Sequence, residues 1–373
     1  LNATGHLYLV NPNGIIFGKD SSVNVHALIA STLDIADAAF LSGNISFNGD
    51  SEAAVMNLGS INAKDFATLI GGKVNNSGSI SVPGGDAALL AANAVIEVGE
   101  ASGGKITLDL SGLLSGTADN SGLIDVSSST IQGGSVTILG EQVAVSGSVD
   151  ASGATGGGQV LIGGDYQGGN QNLTNAQNLE VAGVISADAS VDGDGGSIIL
   201  WADGDTQFSG SITAKGSGKG VGGFAEVSGK DNLVFRGTAD LSGPSGGGEL
   251  LLDPTDITVT YGGSSSTLAD SGDANGNNIL ESGENSGVAV TIQPVALTTI
   301  LDTGTDVTLQ ATNDITVDGA VAKTAGGNAV LTMVAGNDIN VNQTIVGGVG
   351  QLGVVLNATG NVTVGNVIQT NGG

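Results

Sequence analysis

The chain combines 373 residues with 65 glycines, no cysteine and only 3% aromatic residues, although 40% of its residues are hydrophobic. The lack of thiols excludes disulfides and thiolate metal sites, and a formal charge of -27 disfavours nucleic-acid and anionic-lipid partners, whose phosphates bind Lys and Arg. The longest uncharged apolar run, residues 87–96, is far shorter than the roughly 20 residues that a bilayer span needs, so no membrane span is predicted.

The first clear element is the octapeptide Asn-Pro-Asn-Gly-Ile-Ile-Phe-Gly at residues 11–18, which follows a short alternating apolar strand. Pro12 fixes φ for a turn, Asn11 and Asn13 can bond their own backbone, and Gly14 tolerates a positive φ. The octapeptide therefore predicts a tight corner between two strands. Residue chemistry alone assigns this corner no further role.

Glycine-rich signatures recur along the rest of the chain. The pattern Gly-x-aliphatic-x-small starts at Gly59, Gly78, Gly122, Gly147, Gly183, Gly210 and Gly237, with spacings of 19, 44, 25, 36, 27 and 27. A second pattern, Gly-Gly-x-aliphatic, has its second glycine at Gly104, Gly134, Gly158, Gly196, Gly223 and Gly248. A third series near the C-terminus has aliphatic residues at Ile315, Ile339 and Val362, each directly after Asn or Asp. Repeats that bury little alone must stack to form a core.

Short strand signatures, polar turns and almost no helical periodicity predict an all-β protein, a parallel β-solenoid. In such a fold, about 15 coils spaced roughly 4.8 Å apart would make a shaft on the order of 70 Å long. The predicted inward-facing residues include Ile198, Leu200, Val227, Leu250 and Leu252.

Residues 273–284 are the best candidate for a metal site, because oxygen side chains fall at positions 1, 3, 5, 9 and 12 of a calcium loop. The ligands would be Asp273, Asn275, Asn277, Glu281 and Glu284. Asn instead of Gly at position 6 and the lack of predicted flanking helices depart from the calcium pattern, and an acidic surface loop is the alternative. Bound calcium would stiffen the shaft; no other cofactor is predicted.

Carboxylates cluster as they do in polysaccharide-active β-solenoid enzymes, at Asp188, Asp192, Asp194, Asp203, Asp205, Asp253 and Asp256. However, Arg236 is the only arginine and Trp201 the only tryptophan, and Asp at turns needs no catalytic explanation. We predict a non-enzymatic protein; the alternative is an extracellular polysaccharide-active enzyme, which a cleft of carboxylates and aromatic rings on one β-face would favour. His6 and His26 lie far apart in sequence, as is typical of structural or solvent-facing histidines.

The octapeptide and the apolar run at residues 23–32 that follows it resemble the secretion domain of two-partner-secreted exoproteins, the filamentous-haemagglutinin family. Residues 200–204, 223–229 and 251–254 also resemble the haemagglutinin repeats of these exoproteins. The resemblance implies a right-handed parallel β-helix. It also makes residues 26–41 an extended coil with a side excursion, despite some helical spacing, and residues 164–179 are predicted to be a loop inserted between coils.

In that family, a dedicated outer-membrane transporter recognises the secretion domain, and the NPNG corner is a hallmark motif. The resemblance therefore implies that Asn11, Pro12, Asn13 and Gly14 serve secretion from a Gram-negative-type bacterium. The exported protein would be a filamentous adhesin, secreted or at the outer-membrane surface, that binds a glycan or protein of the host cell or matrix. The chain begins at Leu1 with no signal peptide, so it is predicted to be a fragment whose open coil edges favour end-to-end self-association.

The predicted organisation has four parts: residues 1–160 as the C-terminal part of a secretion domain, 161–259 as β-helical repeats, 260–295 as a polar insertion loop, and 296–373 as further β-helical repeats.

Overall fold

The computed structural model describes residues 1–41, 45–92, 96–101, 105–109, 115–261 and 290–372. Within them, short parallel strands stack coil upon coil, as the repeats predict. The strands are β1 His6–Val10, β2 Ile15–Phe17, β3 Ser22–Asn24, β4 Ala27–Ser31, β5 Asp34–Ile35, β6 Ser46–Asn48, β7 Ala54–Asn57, β8 Ser60–Asn62, β9 Phe66–Gly71, β10 Lys73–Asn76, β11 Ser79–Ser81, β12 Asp86–Ala91, β13 Ile96–Ala101, β14 Lys105–Asp109, β15 Thr117–Asn120, β16 Leu123–Asp125, β17 Ser135–Leu139, β18 Gln142–Val145, β19 Ser148–Asp150, β20 Gln159–Ile162, β21 Ala176–Val181, β22 Val184–Ser186, β23 Ser197–Phe208, β24 Ser211–Thr213, β25 Phe224–Gly229, β26 Asn232–Phe235, β27 Thr238–Asp240, β28 Glu249–Leu252, β29 Ile257–Val259, β30 Val290–Ile292, β31 Asp306–Ala311, β32 Ile315–Val317, β33 Val321–Lys323, β34 Ala329–Ala335, β35 Ile339–Val341, β36 Ile345–Gly347, β37 Leu352–Ala358, β38 Val362–Val364 and β39 Ile368–Gln369. The helices are α1 Asp37–Leu41 and α2 Pro294–Leu301, with a 3-10 turn at Tyr166–Gly168.

One parallel ladder takes a strand from every coil. Its order is β1, β4, β9, β12, β17, β20, β23, β25, β28, β31, β34 and β37. These twelve strands make twelve coils in the described part of the chain, fewer than predicted. Eleven steps of about 4.8 Å give a ladder roughly 53 Å long. The fold is the predicted right-handed parallel β-helix.

The glycine signatures mark the ladders that they were expected to mark. The seven strands that follow the Gly-x-aliphatic glycines form one continuous ladder with β3, in the order β3, β8, β11, β16, β19, β22, β24 and β27. The 44-residue interval between Gly78 and Gly122 is a single coil, because β11 pairs directly with β16. Of the strands between β11 and β16, β13 and β14 form an antiparallel hairpin outside the shaft.

The interior is a thin aliphatic core, and the five predicted inward-facing residues are all buried in it. Residues at the same register position of successive coils stack in columns, and one inward-facing column changes from aromatic to polar, then to aliphatic and back to aromatic. Its members, in order, are Phe17, Asn57, Asn76, Asn120, Val145, Val181, Phe208 and Phe235. In its polar part, here called the Asn column, Asn57 Nδ2 donates to Asn76 Oδ1 at 2.8 Å and Asn76 Nδ2 donates to Asn120 Oδ1 at 2.7 Å. Each buried amide is thereby paired with the next coil.

A second apolar cluster lies on the outer face of the ladder from β4 to β23, and in the first coils its residues Ile29, Phe66 and Leu90 pack with Leu33 and Phe47. The segment that contains β5, α1 and β6 leaves the shaft and covers this apolar cluster in the first coils. The prediction that residues 26–41 are extended is therefore wrong for α1. In this helix, the ring of Phe40 packs against that of Tyr8, with the ring centroids 5.1 Å apart.

Helix α2 corrects the prediction that residues 296–373 are β-helical repeats throughout. Pro294 stands at its start, and Leu297, Ile300 and Leu301 are buried at helical spacing. The inserted loop occupies residues 163–175 and is shorter than predicted, because β21 begins at Ala176. No helix among the described residues is long and apolar enough to cross a membrane.

Candidate functional site at the NPNG corner

The NPNG segment forms the predicted tight corner between β1 and β2. The backbone N–H of Asn13 donates to Asn11 Oδ1 at 3.0 Å, and the N–H of Gly14 donates to the Asn11 carbonyl at 3.0 Å. Gly14 has φ of 107°, a conformation that a residue with a Cβ rarely adopts. The sequence therefore specifies this corner locally.

The corner is held by neighbouring coils yet faces solvent. The N–H of Asn11 donates to the Ser31 carbonyl at 3.0 Å, and Ser51 Oγ donates to the Pro12 carbonyl at 2.7 Å. Asn11, Pro12 and Asn13 are all exposed. Ile16, just beyond the corner, is 67% exposed, which is unusual for a large apolar side chain in a strand. The result is a fixed protrusion with polar and apolar groups on its surface.

The carboxylates considered for catalysis serve mainly as structural acceptors. Asp188, Asp192 and Asp194 each accept a backbone N–H from the next coil, donated by Lys215 at 2.6 Å, Lys219 at 2.8 Å and Val221 at 2.8 Å. Asp256 likewise accepts from the Asn313 side chain at 2.8 Å and the Asp314 backbone at 3.0 Å. These side chains connect successive coils and are not arranged around a common cleft.

Other carboxylates meet beneath the inserted loop, here called the covering loop (residues 163–175). The Gln167 N–H donates to Glu226 Oε2 at 3.0 Å, and its side-chain amide donates to Asp253 at 3.3 Å. Asp203 accepts from Trp201 Nε1 at 3.1 Å. The carboxylates and rings expected of an enzyme thus share one face, but Glu226 is fully buried and the covering loop occupies these acceptors.

Glu226 has the most strongly shifted pKa among the carboxylates beneath the covering loop. Burial raises its pKa to about 7; hydrogen bonds from the Gln167 amide and the Ser228 side chain lower it, and the charges of Asp253 and Asp165 raise it. Burial also raises the pKa of Asp253 to about 6. Sequence analysis did not single out Glu226, because its outward-facing strand position is buried only by a loop that is distant in sequence.

The predicted calcium ligands, Asp273, Asn275, Asn277, Glu281 and Glu284, lie outside the described residues. Calcium binding by residues 273–284 therefore stays a prediction.

No protein-family model matches the chain. A curated protein, Heme/hemopexin-binding protein of Haemophilus influenzae, is 38% identical over 92 aligned positions, which cover 21% of this chain and only 10% of that protein. The crystal structure of the HMW1 secretion domain from Haemophilus influenzae is similar over 97% of this chain and 81% of its own, with a TM-score of 0.58 and 21% identity. At that identity the likeness establishes the fold. In fold, this chain is thus similar to a secretion domain, as the resemblance carried by the NPNG motif predicts.

Proposed function

We propose that this chain is part of a non-enzymatic exoprotein, exported by a two-partner outer-membrane transporter that recognises the corner Asn11, Pro12, Asn13 and Gly14. The observation that carries the proposal is the geometry of this corner: it is rigidly held and exposed near one end of a fold similar to a secretion domain. Residues 1–160 would belong to the secretion domain. Residues 161–259 and 296–373 would be repeats of the shaft, separated by an insertion at 260–295.

The β-helix suits export in an extended state. Within the shaft ladders, each strand pairs only with strands of the directly neighbouring coils, so a chain that emerges from a transporter can fold coil by coil on the coils already formed. The charge of -27 keeps such a shaft soluble outside the cell.

After export, the protein would act at the outer-membrane surface or in the medium as an adhesin for a host or matrix glycan or protein. The partial match to a protein named for heme and hemopexin binding favours a binding role over a catalytic one. The alternative, a polysaccharide-active enzyme, receives no support from the comparisons. Self-association through open strand edges, such as those of β1 and β37, completes the proposal.

The test is secretion of the full-length parent protein by cells that carry its cognate transporter. We expect Asn11→Ala plus Asn13→Ala to leave the protein folded but retained in the periplasm, because the side-chain bond that shapes the corner is removed. The matched control is Asn170→Ala plus Asn172→Ala, since Asn172 N–H donates to Asn170 Oδ1 at 3.0 Å in a turn of the same kind.

Equal amounts of the corner variant and the control in the medium would contradict the secretion role of the corner. Retention of both variants would point to a general folding effect, which the far-ultraviolet circular dichroism of the purified chains would reveal.

A further inference from the structure

The first three coils bring both histidines of the chain together with an aspartate. His6 begins β1, whereas His26 and Asp65 directly precede β4 and β9, and the parallel register of these strands places the three residues side by side. His26 Nε2 lies 2.9 Å from Asp65 Oδ2. The rings of His6 and His26 stack with centroids 5.9 Å apart and an interplanar angle of 14°.

The two histidines, although far apart in sequence, are thus neighbours in the fold. Residues 20 and 39 positions apart in sequence become neighbours because each coil returns the chain to the same ladder. One potential ligand atom from each of His6, His26 and Asp65 lies within 4.8 Å of the other two.

We propose that His6, His26 and Asp65 form a binding site for a divalent transition-metal cation of the Zn²⁺ class. Two imidazole nitrogens and one carboxylate oxygen are the ligand types that Zn²⁺, Ni²⁺ and Cu²⁺ accept. The cation would take the place of the present contact between His26 Nε2 and Asp65 Oδ2.

Small side-chain movements suffice to form this site. Tetrahedral Zn²⁺ bonds of about 2.0–2.2 Å place ligand atoms roughly 3.3–3.5 Å apart. The His26 and Asp65 ligand atoms are 2.9 Å apart, and all three ligand atoms lie within 4.8 Å of one another, so shifts of roughly 1 Å bring them to that spacing. His6 is exposed, so its ring can turn toward the other two ligands without displacing the core.

The backbone around the cluster is already fixed. The His26 carbonyl accepts the N–H groups of Lys64 and Asp65, both at 2.9 Å. These bonds hold His26 and Asp65, which lie on neighbouring coils, next to each other. The edge of the Phe66 ring contacts His6, with centroids 5.6 Å apart. A site whose ligands are held before the metal arrives loses less conformational entropy on binding.

A fourth ligand has access from solvent. His26 lines a groove of about 820 Å³ beside the cluster, together with Asn2, Asn24, Asn62 and Lys64. Three protein ligands with one open position is the arrangement in which Zn²⁺ retains a water molecule or an exchangeable ligand.

The experiment is titration of the full chain with Zn²⁺ in excess Mg²⁺, which occupies purely carboxylate sites. Because the chain has only two histidines, ring proton signals in NMR spectra report on the cluster directly. We expect one Zn²⁺ per chain to shift both histidine signals together. Asp65→Asn should weaken binding by roughly tenfold or more, within the range for loss of a supporting group at a metal site; Asp20→Asn, an exposed carboxylate outside the cluster, should not.

Histidine signals that do not move with Zn²⁺ would overturn the proposal. So would Zn²⁺ affinity that is unchanged in His6→Gln, which places binding on the acidic surface instead. His6 is exposed, so this variant is expected to fold, and its far-ultraviolet circular dichroism verifies that folding.

Discussion

Gln167 and Glu226 show how one backbone conformation fixes the covering loop. Gln167 has φ of 50° and is the one non-glycine residue with positive φ among the described ranges. This conformation, costly for a residue with a Cβ, directs its N–H at the buried carboxylate of Glu226. Register neighbours Ile199 and Leu251 flank Glu226 on the adjacent coils and account for its desolvation.

The raised pKa of Glu226 predicts a pH-dependent stability. Its pKa is about 7 in the folded chain against an ordinary value of 4.5, so the folded state binds the proton more tightly than the unfolded state. The stabilisation is therefore full below pH 4.5 and is lost as pH rises to about 7, by a total of about 3 kcal/mol. Glu226→Gln should remove this contribution, leave the smaller one that the raised pKa of Asp253 makes, and stabilise the chain at pH 8 relative to the wild type.

Urea denaturation at pH 5 and pH 8 measures this effect, with the exposed Glu180→Gln as the control. A Glu226→Gln chain that is less stable than the wild type at both pH values would show that the carboxylate, and not its neutral form, stabilises the covering loop.

At the level of the strand ladders, glycines permit close contact between successive turns. A Cβ on Gly122 would overlap the carbonyl oxygen of Gly78, its counterpart on the neighbouring coil. Gly122→Ala should therefore destabilise the chain by about 1–3 kcal/mol, the usual cost of overpacking. Gly18→Ala is the control, because no heavy atom outside its immediate neighbours lies within 4 Å of a Cβ built there.

Thermal denaturation of the two glycine variants provides the measurement. A melting temperature for Gly122→Ala equal to that of Gly18→Ala would mean that the turns can separate at no cost, contrary to the ladder geometry.

The elements that sequence analysis predicted are those specified locally. The NPNG corner and the ladder strands carry their own turn residues and alternation, so both are visible in the sequence. Helix α1 has only five residues, so the helical spacing over residues 26–41 is too weak to outweigh the extended conformation that the resemblance implies. Helix α2 gains its stability from packing on the shaft. The cluster of His6, His26 and Asp65 depends on the length of each coil, which the signatures do not determine.

For the whole molecule, the number of coils is likewise a property that the sequence signatures do not determine. The repeats indicate stacking correctly, but excursions such as the β13–β14 hairpin lengthen single coils without adding new ones. Spacing alone does not distinguish one long coil from two short ones, and the predicted shaft is accordingly too long.

The solenoid architecture predicts that distant coils fold independently. A chain that ends at Ala335 lacks β35 to β39 but retains every strand that pairs with β9 and β12. Because stability in such folds is a sum of local and nearest-neighbour terms, amide hydrogen exchange in β9 and β12 should match that of the full chain. Faster exchange there in the shortened chain would instead indicate one cooperative unit.

The Asn column affects where such a shaft can gain coils by duplication during evolution. Asn76 accepts a hydrogen bond from Asn57 on one side and donates one to Asn120 on the other. A tandem duplication of the 19 residues 58–76 would insert a turn that continues the same chain of amides, leaving none unpaired. An aliphatic turn inserted between Asn76 and Asn120 would instead interrupt the hydrogen bond between them. Unequal recombination within the polar part of the column is thus tolerated when the added turn carries Asn and opposed when it carries an aliphatic residue.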